Sequence, residues 1–367
     1  MGENERPAAE RGLNRRQLMA RGALGSALAS MPLLAAACGG EDSGGGGGGG
    51  EAAGAGPFAA TPKYKFVFVN HVTTNAFFVP TQYGAADASA FLKTQYQWTG
   101  SQDSNVAEMV DTMNAAISAK ADGIALADVD PDAFEKPVQR ALDAGIPVLT
   151  YNADGTLKKQ TARLGYVGQD LFLSGQEMGN RIVESVEKGK IALFIATPGQ
   201  ANIQPRVDGA IDSIKKSGKD IDYKVVATGA EVVEELARVD AWYNGNKDAV
   251  GMFSVDQGST QGVAKTIQKN NLKGKVKGGG FDLVDVILKG VQDGSLDFTI
   301  DQQPYLQGFL PVFYLYLYKL SGGVTTPPDT NTGLAFITKD NVESFLATQS
   351  RFEGDAKKYT PPPETRA

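Results

Sequence analysis

The residues that could bind or transform a small molecule stand where apolar runs of the sequence end. Asn75, Phe77 and Phe78 follow the first run, and they place one hydrogen-bonding side chain beside two aromatic faces. Asp256 and Asp282 each follow a later apolar run. Two carboxyls at one site can accept hydrogen bonds or act as a general acid and base. The pattern predicts a ligand site and leaves open whether the ligand is only bound or also converted.

These candidate residues follow strands of a predicted α/β sheet. The aromatic and β-branched run Lys65–Asn70 is typical of a buried strand, and a helical pattern starts soon after it. Capping boxes at Asn105 with Glu108 and at Asp132 with Glu135 start the next two helices. Apolar strands and capped helices that alternate in this way predict a parallel, doubly wound sheet. Ligands of such sheets bind at the carboxyl ends of the strands.

The same pattern restarts after about residue 165, so the sequence predicts two lobes. The fold class is α/β, with two doubly wound, Rossmann-like lobes joined by a multi-strand hinge. We assign residues 63–165 and 303–331 to the N-terminal lobe and residues 166–302 and 332–350 to the C-terminal lobe. Residues 351–367 are expected to form a loose tail.

The first 62 residues have the features of an export signal and a tether. Arg15 and Arg16 form a twin-arginine pattern, an Ala- and Gly-rich apolar run follows, and small residues precede Cys38. This layout resembles a bacterial lipoprotein signal in which Cys38 is lipidated. We therefore predict a Tat-type signal peptide over residues 1–37 and a flexible, Gly-rich linker over residues 38–62.

Composition disfavours most enzyme classes and nucleic-acid binding. Loss of the signal would remove five Arg and three Glu and move the net charge from −6 to about −8. An acidic chain without a cluster of Lys and Arg argues against nucleic acid as a partner. The chain has one cysteine and one histidine, His71, which leaves little material for a disulfide, a metal site or a catalytic triad. We interpret His71 as a packing residue and expect no cofactor and no metal.

Several motifs, taken in order, resemble one protein family. Over residues 63–345 the chain is similar to the periplasmic sugar-binding proteins of ABC importers, in particular the ribose/galactose group. Five motifs of the family have counterparts in this chain. Asn-Pro-Phe-Phe corresponds to Asn75–Phe78, and Gly-Ile-Pro-Val corresponds to Gly145–Val148. The arginine at a helix start corresponds to Arg206, Gly-Phe-Asp to Gly280–Asp282, and Ile-x-Gln-x-Pro to Ile300–Pro304. The chain departs from the family where Asn152 and Ala153 replace an acid and an arginine, and where Asp256-Gln257 replaces Asn-Asp.

The resemblance implies a type I periplasmic binding protein whose lobes close on a monosaccharide or a related small polyol. It implies that the protein is a monomer, anchored by lipid on the outer face of the cytoplasmic membrane. Such a protein delivers its ligand to the permease and ATPase subunits of an ABC importer and is not an enzyme. The ligand-binding residues carried over from the motifs are Asn75, Phe77, Phe78, Asn152, Arg206, Asp256, Asp282 and Gln302.

Two other functions stay open at this point. A ligand-sensing subunit of a membrane receptor would bind in the same way, and its ligands include autoinducer-like furanoses. A carbohydrate-active enzyme would use Asp256 and Asp282 as its acid and base. The departures from the family at Asn152 and Asp256 leave the identity of the sugar open as well.

Overall fold

The computed structural model describes residues 62–155, 163–323 and 327–348. The predicted signal peptide, Cys38 and the linker up to residue 61 lie outside the described residues, as does the predicted tail 351–367.

Strands and helices alternate along the chain, as the periodicity predicts. The first part comprises β1 (Lys65–Asn70), α1 (Val79–Leu92), β2 (Gln95–Gly100), α2 (Val106–Ser118), β3 (Gly123–Leu126), α3 (Pro131–Asp143), β4 (Val148–Tyr151) and β5 (Tyr166–Gly168). The second part comprises α4 (Leu171–Ser185), β6 (Gly189–Ile195), α5 (Gln204–Ser217), β7 (Ile221–Ala227), α6 (Val232–Gly245), β8 (Gly251–Ser254), α7 (Gln257–Lys269), β9 (Lys277–Phe281), α8 (Asp285–Asp293) and β10 (Phe298–Asp301). The chain then returns through α9 (Pro304–Ser321), β11 (Asp329–Asn331), β12 (Ala335–Ile337) and α10 (Val342–Thr348).

The strands form two six-stranded sheets with the same order. The first sheet runs β11-β5-β4-β3-β1-β2 and the second runs β12-β10-β9-β8-β6-β7. Neighbouring strands are parallel except for β12, which is antiparallel to β10. In each sheet the order reverses beside the first strand, between β1 and β3 and between β6 and β8. Ligands of doubly wound sheets bind at such points.

The chain passes between the two sheets three times. One passage follows β5, the second joins β10 to α9, and the third joins β11 to β12. The predicted lobe boundary after residue 165 is wrong by three residues, because Tyr166–Gly168 pairs with β4 and with β11 and so belongs to the first sheet. The strand β11 forms the edge of that sheet.

Glycines allow one pair of helices in each lobe to approach closely. A Cβ on Gly308 of α9 would lie 1.8 Å from the carbonyl oxygen of Thr81 in α1, and a Cβ on Gly209 of α5 would lie 2.2 Å from that of Phe172 in α4. Only glycine fits where two backbones come this close. The α4–α5 contact matters for the site, because it holds the start of α5, where Arg206 lies, against the second sheet.

No helix within residues 62–155, 163–323 and 327–348 is long and apolar enough to cross a membrane. Across those same residues, no group of three His, Cys, Asp or Glu side chains could hold a metal ion.

Candidate functional site

The predicted site residues all lie near the carboxyl ends of the strands, either in the segment that follows a strand or in the first turn of the next helix. The structure places them after β1 (Asn75, Phe77, Phe78), after β4 (Asn152), in the first turn of α5 (Arg206), after β8 (Asp256), after β9 (Asp282) and after β10 (Gln302). Both sheets therefore contribute side chains to the region between the lobes.

Arg206 forms the positive centre of this region. Its side chain is 3% exposed, and the guanidinium carbon lies 4.2 Å from the centre of the Phe281 ring. One terminal nitrogen donates to the carbonyl of Val255 at 3.0 Å and the other donates to Oε1 of Gln169 at 2.9 Å. Burial lowers the pKa of Arg206, and the nearby Asp282 opposes that shift. Its Nε has no partner among the described residues, so this buried donor is available to a ligand.

Asp282 is the acidic group that faces this arginine. Its backbone has φ of 82°, a conformation that residues other than glycine, asparagine and aspartate rarely adopt. Gln302 donates its Nε2 to Oδ1 of Asp282 at 2.8 Å, which joins two predicted site residues directly. Burial raises the pKa of Asp282 to about 7, although Arg206 and the bond from Gln302 act in the opposite direction. The second carboxylate oxygen, Oδ2, is left for a ligand hydroxyl.

Asp282 and Phe77 line the same small cavity. This cavity has a volume of about 10 Å³, and its walls also include Leu283, Val284 and Pro304. Because Phe77 comes from the first lobe and Asp282 from the second, the cavity lies between the lobes. It places an aromatic surface beside a hydrogen-bonding carboxyl, which is the combination that a sugar ring requires.

Asn75 and Phe78 have structural roles that the sequence left open. Oδ1 of Asn75 accepts a hydrogen bond from the backbone N–H of Phe77 at 2.9 Å and so caps the short 3-10 helix Ala76–Phe78. The amide Nδ2 is the group that Asn75 could offer to a ligand. Phe78 is 2% exposed. Its ring packs edge-on against His71 and Phe77 and at a tilt against Trp98. Its ring is therefore core, whereas the ring of Phe77 reaches the cavity.

Asn152 is connected to Gln302 through a residue that sequence analysis missed. Nδ2 of Asn152 donates to Oε1 of Gln307 at 3.1 Å, and Nε2 of Gln307 donates to the carbonyl of Gln302 at 3.0 Å. Thr332 Oγ1 donates to the same carbonyl at 2.8 Å. Gln302 and Thr332 lie on two of the three passages between the sheets, so this network joins the site to the hinge. Gln307 lies inside α9, where sequence patterning gives no signal for it.

Asp256 caps α7 with one oxygen of its side chain and binds the end of β6 with the other. Oδ1 accepts from the N–H of Ser259 at 2.9 Å, and Oδ2 accepts from the N–H of Ala196, at the end of β6, at 2.8 Å. Its neighbour Gln257 is buried, and Oε1 of Gln257 has no partner within the part of the chain that the structure describes. Sequence analysis noted Gln257 only as part of the Asp256-Gln257 departure from the family pattern and did not predict it as a site residue.

The loop between β6 and α5 touches the first lobe at three points. Ala201 N–H donates to the carbonyl of Val129 at 3.1 Å. Gln200 Nε2 donates to Ser104 Oγ at 2.9 Å, and Asn202 Nδ2 lies 3.2 Å from Nε2 of His71. Because residues of both lobes exchange hydrogen bonds directly, the structure shows the lobes in a closed arrangement.

His71 lies in this interlobe contact. Burial lowers its pKa to about 4, so the ring is neutral at physiological pH. A neutral ring that accepts from Asn202 at Nε2 carries its proton on Nδ1, and this Nδ1 has no partner in the described parts of the chain. Oδ1 of Asn202 is also buried without a partner. An unpaired buried polar group costs about 1–3 kcal/mol, which a bound ligand with several hydroxyls could recover.

Comparison with known proteins points to one family. The model of a family described as a periplasmic binding protein domain matches residues 66–322. The xylose/arabinose-binding protein of Sulfolobus acidocaldarius is 49% identical over 313 residues, which are 82% of this chain and 77% of that protein.

Solved structures agree with this match. The solute-binding protein of an ABC transporter from Agrobacterium vitis, bound to α-D-tagatopyranose, is 26% identical, with a TM-score of 0.71 over 80% of this chain and 99% of that chain. A solute-binding protein from Burkholderia graminis in complex with D-arabinose is also 26% identical, with a TM-score of 0.71 over 77% of this chain and 97% of that chain.

Proposed function

Because the chain belongs to the periplasmic binding protein family, we propose that it captures an aldopentose between its two lobes and delivers it to an ABC import permease. The observation that carries the proposal is the interlobe site in which Asp282, Arg206 and Gln302 lie with Phe77. The relatives that match are binding proteins, and this chain is a binding protein rather than an enzyme. Asp256 and Asp282 therefore serve as hydrogen-bond acceptors and not as an acid–base pair.

The relatives support a pentose as the ligand. The protein that shares 49% identity is named for xylose and arabinose, and one of the structural neighbours contains D-arabinose. A pentose offers hydroxyls that can donate to Asp282 and Asp256 and accept from Arg206, while its C–H face can pack on Phe77.

Two further parts of the proposal concern location. Family membership implies a place outside the cytoplasm. We propose that the twin-arginine signal exports the protein and that a lipid on Cys38 anchors it to the outer face of the membrane, with the Gly-rich linker as a tether. Labelling cells with a radioactive fatty acid tests the anchor: label on the wild type that disappears in Cys38→Ser supports it, and no label on the wild type contradicts it.

The sugar assignment is tested by binding to the chain without residues 1–37, with Cys38→Ser to keep it unlipidated. D-xylose, L-arabinose and D-ribose are compared with D-galactose, D-fucose and sorbitol in a thermal-shift assay and by calorimetry. A ligand present far above its dissociation constant should stabilise the protein by about 3–4 kcal/mol, and the sugar should be recovered unchanged. A pentose that raises the melting temperature supports the proposal. If none of these compounds does so, the ligand class is wrong.

A further inference from the structure

A buried acid, Glu235, lies behind the site residue Asp256. Glu235 belongs to α6 and is 3% exposed, and a hydrogen bond joins its carboxyl to the side chain of Asp256. Ser259 Oγ donates to Oε2 of Glu235 at 2.9 Å, and Thr228 Oγ1 lies 2.7 Å from Ser259 Oγ. Glu235 thus contacts the start of α7 without belonging to the strand ends that form the ligand site.

The first turn of α7 is shaped to accept this carboxyl. A Cβ on Gly258 would lie 2.2 Å from Oε1 of Glu235 and 2.4 Å from Oε2. Only glycine at position 258 allows the carboxyl to lie against the helix start at this distance. The missing side chain at position 258 therefore leaves room for the Glu235 carboxyl at the start of α7.

A hydrogen bond between two carboxyls requires a proton on one of them. Asp256 already accepts two backbone N–H groups, from Ser259 and Ala196. Glu235 is the more buried of the two acids, and burial together with the charge of Asp256 raises the pKa of Glu235 to about 10. The proton therefore belongs to Glu235 at physiological pH.

We propose that Glu235 is a positioning residue that donates its proton to Asp256 and fixes the orientation in which the Asp256 carboxyl meets the ligand. This inference rests on the proposed function, because it assigns Asp256 to sugar binding. It also limits what Asp256 can do. A carboxylate offers about four acceptor positions. The protein occupies three of them, through Ser259, Ala196 and Glu235. Asp256 is thus left to accept from a single ligand hydroxyl.

The charged groups around Glu235 determine how the pair responds to pH. Asp256 faces it from the start of α7, and Arg206 of α5 acts on Asp256 from the site. On its own helix, Glu234 is paired with Arg238. Deprotonation of Glu235 at high pH would place two negative carboxylates in contact, which costs free energy and turns Asp256 away from the ligand.

The test compares wild type, Glu235→Gln and Glu235→Ala by calorimetry with D-xylose and L-arabinose between about pH 7 and about pH 10.5. Glutamine keeps a donor toward Asp256 and cannot ionise, so it should retain affinity within about threefold at neutral pH. Alanine leaves Asp256 without its donor and should lose roughly tenfold in affinity or more. As pH rises past about 10, wild type should lose affinity relative to Glu235→Gln, whose profile stays flatter.

Two results would overturn the inference. One is an equal loss of affinity in Glu235→Gln and Glu235→Ala, and the other is an identical pH profile in wild type and Glu235→Gln. Melting curves of all three proteins show whether a variant is folded, and Gly258→Ala supplies a second disturbance of the Glu235 carboxyl that leaves Glu235 in place.

A sugar-free measurement separates this inference from the proposed function. Infrared spectroscopy of the unliganded protein at about pH 8 should show a protonated carboxyl band that Glu235→Gln lacks. Absence of that band from the wild type refutes the proton on Glu235 whether or not a sugar binds. If the band is present and no sugar binds, the positioning role toward a sugar is refuted together with the proposed function, while the shared proton stands.

Discussion

The buried carboxyl of Asp282 should destabilise the unliganded protein, so its neutral isostere should be more stable. Asp282→Asn keeps an acceptor for the bond from Gln302 and removes the charge. Asparagine also tolerates the left-handed backbone at this position, where φ is 82°. We therefore expect the variant to melt at a higher temperature than wild type above about pH 7 and to lose sugar binding.

The magnitude follows from the pKa of the group. The carboxyl has an ordinary pKa of 3.8, and in the folded protein burial raises it to about 7. Each unit of difference is worth about 1.4 kcal/mol, so the ionised form costs up to about 4 kcal/mol above pH 7. Between these two pKa values the folded state binds a proton that the unfolded state does not. Stability contributed by this group is therefore fully present below about pH 4 and is lost as pH rises through about 7.

The assay is chemical denaturation of wild type and Asp282→Asn at about pH 5 and about pH 8, without sugar. Asp111→Asn, which removes an exposed carboxylate from α2, controls for the change in net charge. The gain in free energy of unfolding of Asp282→Asn over wild type should be larger at the higher pH, and Asp111→Asn should show no such dependence on pH. The reasoning is refuted if Asp282→Asn is less stable than wild type at the higher pH, or if its advantage does not depend on pH.

Three further predictions concern the packing of α9 against α1, the interlobe contact and the aromatic pair. Gly308→Ala should lower the free energy of unfolding, measured by denaturation, by about 1–3 kcal/mol, because the new Cβ meets α1. Gly245→Ala is the control, since a Cβ there has nothing within 4 Å and should not destabilise the protein. Equal effects of the two substitutions would contradict the packing argument. Because burial lowers the pKa of His71 to about 4, the free energy of unfolding of wild type should fall by up to about 3 kcal/mol as pH falls from about 6.5 to about 4. Melting curves of His71→Gln should lack this part of the loss. In calorimetry Phe77→Leu should weaken sugar binding about tenfold, while Phe78→Leu should act mainly on the melting temperature; the reverse order would refute the placement of the two rings.

The fold was largely predictable because each unit carries its own local signal. Apolar runs, capping boxes and the spacing of helical positions are read within a few residues of where they act. The error at Tyr166–Gly168 has a different origin. This three-residue strand belongs to the first sheet because it pairs with Asp329–Asn331, about 160 residues later. No local pattern contains that pairing, so the first passage between the lobes could not be located from the sequence.

The site was predictable to the extent that it lies at strand ends. Asp256, Asp282 and Gln302 stand there with chemistry that a ligand needs, and the structure brings Asp282 and Gln302 into direct contact. Residues that act from helix interiors were missed. Glu235 and Gln307 occupy positions on α6 and α9 where a buried polar side chain is not distinguished by its neighbours in sequence. Their roles depend on what packs against them, and only the tertiary structure shows that.

The network around Gln302 suggests how the site and the hinge act together. Gln302 donates to Asp282 with its side chain, while its carbonyl accepts from Gln307 and Thr332. Asn152 of the first lobe joins the same network through Gln307. A ligand that binds Asp282 therefore binds the hydrogen-bond partner of Gln302, and the backbone of Gln302 lies in one passage between the lobes and is bonded to Thr332 in the next. Ligand binding favours the closed form over the open form only to the extent that these bonds and the interlobe contacts are stronger in the closed form. The unpaired donors and acceptors of the unliganded cleft are the groups through which a sugar can supply that difference.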